Sequence, residues 1–112
     1  MHIHTLKKEE IVVLQLIGKI DSVTSTLLGR KVETLLSQKQ HHIIFDFSEV
    51  EFISSSGLRV LLQTAKKSYL LKGKIALCAI ENNLQDQFEI VGFNMIFPIF
   101  QNQEEALQKI AA

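Results

Sequence analysis

Short apolar runs alternate along the whole chain with stretches in which apolar residues recur at helical spacing. Ile3 to Leu6 reads as a short first strand, and Lys7-Lys8-Glu9-Glu10 as a polar turn. Ile11 to Ile17 follows with only Gln15 polar, the pattern of a strand covered on both faces. Gly18-Lys19-Ile20-Asp21-Ser22 breaks that run. A helix from about Thr24 to Gln38 then sets Leu27, Leu28, Lys31, Val32, Leu35 and Leu36 near one side. Lys31 must direct its charge outward, and Gly29 costs that helix ~1 kcal/mol relative to alanine. His42-Ile43-Ile44-Phe45-Asp46-Phe47 has the form of a buried parallel strand.

Beyond it, Leu58, Leu61, Leu62, Ala65 and Tyr69 fall on one face of a second helix, with Gly73 as its C′ residue after Lys72. Lys74 to Ile80 is expected as a fourth strand. Asn82 with Gln85 starts a helix whose buried stripe is Leu84, Phe88 and Val91, and Gly92 closes it. Ile96 to Phe100 is expected as the last strand, restricted to an edge by Pro98. Asn102 with Glu105 opens a terminal helix that carries Ala106, Leu107 and Ile110 inward. The expected fold is α/β: an N-terminal hairpin, then β-α units, with amphipathic helices packed on a mixed sheet of about five strands. One domain is expected to span residues 1–112. Right-handed crossovers bring the junctions after strands two and three to the same end of the sheet. Asp21 and the Ser54-Ser55-Ser56 group are therefore expected as neighbours, with Asp21 and Ser55 within side-chain reach, where open α/β sheets meet ligands and partners.

Composition narrows the classes. At 46% hydrophobic and 21% charged, the chain is too apolar for disorder. Its 112 residues suffice to bury roughly 65% of the unfolded surface in one core. Twelve basic residues balance twelve acidic ones, without the overall charge of a nucleic-acid or anionic-membrane binder. No signal-peptide core is visible at the N-terminus, and no apolar run approaches the ~20 residues of a membrane span. The cytoplasm is the simplest address. Cys78 is the single cysteine, set in a strand interior, and reads as a buried small hydrophobe rather than a reactive thiol.

Candidate chemistry concentrates in Ser54-Ser55-Ser56-Gly57, between the third strand and the second helix. One reading is a helix N-cap, since a serine oxygen there accepts a backbone N–H two or three residues on. The other is a phosphate acceptor, welcomed by the free N–H groups and positive dipole end of the helix. Asp46 could cap the loop that follows it through backbone N–H groups. Asp21 could likewise be a turn residue or helix cap. His2, His4, His41 and His42 form two separated pairs without carboxylate or cysteine companions, so no metal site is expected. No histidine follows Ser55 in the chain, although chain order alone leaves His41 and His42 open to a serine hydrolase; no Gly-rich phosphate loop with lysine occurs, so a P-loop enzyme is not indicated. No cofactor is expected.

Asp46-Phe47-Ser48, Val50, Phe52-Ile53 and Ser55-Ser56-Gly57-Leu58 together resemble the signature of the STAS family, in particular the bacterial anti-sigma factor antagonists. The resemblance runs from about residue 3 to residue 110. It implies that Ser55 is the phosphorylated serine. Asp21, Ser54, Ser56, Gly57 and Arg59 would belong to the partner-binding face, with Asp21 as the acidic residue near the phosphosite. Ser54 departs from the family pattern, which usually has aspartate at that position. The implied role is non-enzymatic. The unphosphorylated protein would bind an anti-sigma factor that is also a serine kinase, and phosphorylation at Ser55 would release it. A phosphatase would reset the switch, with no direct contact to nucleic acid and no membrane insertion. A second role open to such domains is that of accessory subunit in a lipid-transport ABC complex.

Overall fold

The computed structural model describes residues 1–111. β1 (His2–Lys8) and β2 (Ile11–Ile20) make the expected antiparallel hairpin, turned through Glu9 at φ 57°. The chain continues through α1 (Thr24–Ser37), β3 (His42–Ile53), α2 (Ser55–Leu70), β4 (Lys74–Cys78) and α3 (Asn82–Ile90). It closes with α4 (Phe93–Ile96), β5 (Ile99–Phe100) and α5 (Gln103–Ala111). The five strands stand in the order β1-β2-β3-β4-β5, parallel from β2 onward. This is the single α/β domain with a mixed sheet that the patterning predicts.

Strand alternation divides the core into two layers. Val12, Leu14, Leu16, Phe45 and Leu77 face one side, where Leu28, Val32, Leu61 and Phe88 cover them from α1, α2 and α3. Val13, Ile44, Ala76 and Cys78 face the other, under Ala106 and Ile110 of α5. Helices on both faces are why β2 carries so few polar residues. Each fully buried Leu, Ile or Phe contributes roughly 1.5–3 kcal/mol, so the two layers dominate the stability.

Several elements depart from the sequence expectation. Neither strand ends where polar residues suggested. β2 runs through Gly18, at φ 100°, to Ile20, and β3 runs through Ser48 and Glu49 to Ile53. Register shifts mark where β3 takes up extra residues: Gln15 pairs with Asp46 but Ile17 with Glu49, and Gly18 with Val50 but Lys19 with Phe52. Bulges of this kind keep a strand in the sheet while re-aiming its end. At the end of α2, Lys72 takes the left-handed conformation at φ 61° instead of Gly73. Gly73 is required for space, because a β-carbon there would collide with the His41 carbonyl oxygen.

β4 stops at Cys78, where Ala79 turns at φ 59°. The expected strand from Ile96 is instead a single helical turn, Phe93–Ile96, entered through Gly92 at φ 77° and ended before Pro98 with Phe97 extended. Only Ile99 and Phe100 remain as β5, on the sheet edge as Pro98 requires. Leu27, Tyr69 and Val91, all expected inward, are exposed. Phe93 takes the core place expected of Val91, edge-on to Phe88 with centroids 5.7 Å apart.

Candidate functional site

The C-terminal ends of β2 and β3 form one rim. Ile20 and Ile53 are register partners, and the Ser54 N–H donates to the Ile20 carbonyl at 2.8 Å. Gln87 Nε2, reaching from α3, donates to the Ile53 carbonyl at 2.9 Å. The junction that opens α2 is thereby tied from both sides. Gly57 seats the helix on this rim. It is buried, and a β-carbon on it would stand 2.7 Å from Ile53 Cγ1 and 2.8 Å from Ile20 Cγ2. Leu58 and Leu61 then anchor the helix in the core.

The three serines divide their work. Ser54 is the N-cap, with φ −83° and ψ 169°, and its Oγ accepts the Gly57 N–H at 3.2 Å. Aspartate and serine are equally good N-caps, so the departure from the expected aspartate preserves the local physics. Ser55, the first helical residue, is exposed, and its hydroxyl makes no hydrogen bond among the described residues. Ser56 is half-buried. The first turn of α2 carries no acidic residue, and Arg59 is exposed one turn beyond Ser55.

Asp21 follows Ile20 as Ser54 follows Ile53, so both stand on the same rim. Its carboxylate is engaged by its own turn. Oδ1 accepts the N–H groups of Val23 at 3.0 Å and Thr24 at 2.9 Å, and the Thr24 hydroxyl lies 3.0 Å away. The Asp21 N–H donates in return to Thr24 Oγ1 at 2.8 Å. This reciprocal arrangement starts α1. The Thr24 N–H, then the Thr24 hydroxyl, and more weakly the Val23 N–H hold the Asp21 carboxyl below its usual pKa. The cap reading of Asp21 is therefore satisfied by the geometry.

Asp46 is not at a strand end but inside β3, buried on the α5 side. Oδ1 accepts the Ser48 N–H at 2.8 Å across the bulge, and Oδ2 accepts from Gln103 Nε2 at 2.5 Å. The expected loop is a continuing strand, so Asp46 bonds one N–H across a bulge instead of capping a loop, and it adds a tie to α5 that the sequence did not reveal. Cys78, the register partner of Asp46, is fully buried. Burial first, and the Asp46 charge second, push its thiol up to about 12. Among the described residues, no group of three or more His, Cys, Asp or Glu could hold a metal ion.

The hydrophobic period did not disclose three apolar side chains at the same junctions. Phe52, Val23 and Leu27 are exposed beside the serines and the Asp21 turn. Phe52 pairs in register with Lys19, also exposed. The available signal was the density of apolar residues at a junction otherwise made of Ser, Gly and Asp.

Comparison with known proteins agrees with this geometry. BtrV of Bordetella bronchiseptica, named with the anti-sigma factor antagonists, is 30% identical over 89 residues, covering 80% of this chain and 77% of its own length. The crystal structure of the Thermotoga maritima protein TM1081 superposes with a TM-score of 0.94 at 19% identity, covering 98% of this chain and 95% of its own. The anti-sigma factor antagonist SpoIIAA of Bacillus, solved in unphosphorylated and phosphorylated forms, gives TM-scores of 0.78 and 0.80 at 21% and 22% identity. Those two structures cover 99% and 97% of this chain, and 99% of their own in each case. At such identities the structures speak for the fold. The STAS domain model matches residues 2–106, and with it the chain belongs to the STAS domain family, in the anti-sigma factor antagonist subgroup.

Proposed function

We propose that the protein is an anti-sigma factor antagonist that works by partner switching. Unphosphorylated, it binds an anti-sigma factor serine kinase through the rim made by Asp21, Ser54, Ser56, Gly57 and Arg59 around Ser55. Phosphorylation of Ser55 releases the partner, and a phosphatase restores the binding form. The observation that carries this reading is the division of labour among the serines. Ser54 spends its oxygen on the helix cap, whereas Ser55 offers an exposed hydroxyl on a rigid platform. The names of BtrV and SpoIIAA, and a phosphorylated form of SpoIIAA, support the same role.

Phosphate brings about −1.5 to −2 charges at pH 7. The fold tolerates them, because they meet free N–H donors and no acidic neighbour in the first turn of α2. A partner matched to a neutral hydroxyl does not tolerate them. Affinity capture with the unphosphorylated chain, followed by incubation of the complex with ATP and phosphosite mapping, tests the proposal. The expected result is a captured serine kinase, phosphate on Ser55 and dissociation. A captured kinase that marks another residue, or a complex that survives phosphate on Ser55, contradicts it.

A further inference from the structure

The chain is neutral, but its charges are not evenly placed. Glu49, Glu51, Glu81 and Glu104 stand toward the C-terminal end of the parallel strands, an end that also carries Lys19 and Arg59. At the opposite end, the segment Lys66–Lys72 holds three lysines and no acidic residue. Lys39, which ends α1 at φ 63°, is exposed at that same end. Glu33 of α1 is already paired with Lys67, and the other acids at this end are Glu9 and Glu10 in the β1-β2 turn. Among these lysines the α2 terminus exposes large apolar side chains: Tyr69 at 81%, Leu70 at 78% and Leu71 at 45%. Leu36, Leu70 and Leu71 line one groove between the ends of α1 and α2.

Such exposure is not explained by folding. The buried face of α2 is Gly57, Leu58, Leu61, Thr64 and Ser68, so the last turn points its leucine and tyrosine away from the core. A helix end with exposed apolar side chains set among lysines has the chemistry of a surface that rests on an anionic bilayer. The leucines enter the acyl boundary, tyrosine sits at the headgroup level, and lysines meet the lipid phosphates. We infer that the lysine-bearing end of α1 and α2 is a docking surface for an anionic lipid bilayer. It is a peripheral contact; no helix of residues 1–111 is long and apolar enough to cross a membrane. The serine rim at the other end stays open to partners, so the docking stands independently of the switch.

The test is co-sedimentation of the full chain with vesicles of phosphatidylcholine, with and without phosphatidylglycerol. Binding is expected only with the anionic lipid. Lys66→Gln and Lys72→Gln should each weaken it about fivefold, the worth of one lysine near such a surface. Leu70→Ser should weaken it at least about tenfold, by losing an inserted side chain. Ser55→Glu should bind vesicles as the parent does. Absence of vesicle binding overturns the inference, including the case in which this end instead captures an acidic protein. Binding that ignores Leu70→Ser overturns it too.

Discussion

Gly57 lies so close to Ile53 that a β-carbon on it would stand 2.7 Å from Ile53 Cγ1, with Ile20 Cγ2 nearly as near at 2.8 Å. The switch helix can therefore rest directly on the two strand ends. Gly57→Ala gains about 1 kcal/mol of helix propensity but overpacks a filled core, at a cost of about 1–3 kcal/mol. The second effect wins. The variant should lose up to about 2 kcal/mol in urea unfolding. A Gly57→Ala variant more stable than the parent would mean the helix is not seated as described.

Gly29 gives the opposite expectation. It lies in the interior of α1, and a β-carbon there would meet Val60 Cγ2 at 3.8 Å, an ordinary contact. Gly29→Ala should raise stability by up to about 1 kcal/mol, read as a higher urea midpoint with unchanged slope. Two helical glycines thus separate by sign, one needed for space and one not.

Legibility followed locality. The hairpin, the β-α alternation and the start of α2 depend on near neighbours in sequence, and the patterning predicts them. The missed features depend on distant partners. Asp46 and Ser48 look like a strand end, yet Gln103, 57 residues away, satisfies Asp46 inside the sheet and the strand continues. Ser68 is polar, yet its hydroxyl donates to the carbonyl of His41, 27 residues away, at 3.0 Å, which lets it be buried. The buried stripe of α2 rotates accordingly and Tyr69 is left outside. At the site, the cap chemistry of Ser54 was legible. The engagement of Asp21 by Thr24 was only one of two readings, because both needed the same residue at the same turn.

Asp21→Ala should lower the melting temperature at neutral pH, since the Val23 and Thr24 N–H groups at the start of α1 lose their acceptor. The pH dependence has a definite sign. The folded pKa lies below the unfolded value near 3.8, so the stabilisation is complete above that value and fades as pH falls through the folded pKa. Melting curves of parent and Asp21→Ala should converge in acid. A constant gap across the acid range would deny the carboxylate its capping role.

Cys78 should be silent to thiol reagents in the native protein at pH 8. Its thiol is pushed up to about 12, and it is fully buried between β3, β4 and α5. Modification should require unfolding, so its rate should follow denaturant concentration. The raised pKa also means that the unfolded chain ionises first above pH about 9, and stability should decline from there upward. Rapid labelling under native conditions would show that α5 opens readily.

Ser54 and Ser55 adjoin each other, yet their variants should fall into distinct classes. Ser54→Ala removes the cap on Gly57 and should cost about 1 kcal/mol while leaving the acceptor hydroxyl of Ser55 in place. Ser54→Asp should restore that stability, because aspartate caps as well. Ser55→Ala should unfold like the parent, bind the partner and resist phosphorylation. Ser55→Glu should also fold like the parent, since a negative charge at the first helical position is favoured. Binding is where it should fail. A charge left uncompensated at the interface costs several kcal/mol, and ~3 kcal/mol already weakens association more than a hundredfold. Denaturation midpoints measured on these four variants should therefore move with Ser54 and not with Ser55, whereas the hundredfold loss of partner affinity should appear in Ser55→Glu. If Ser55→Glu binds like the parent, or if Ser54→Ala abolishes phosphorylation without changing stability, the assignment of the two serines is reversed.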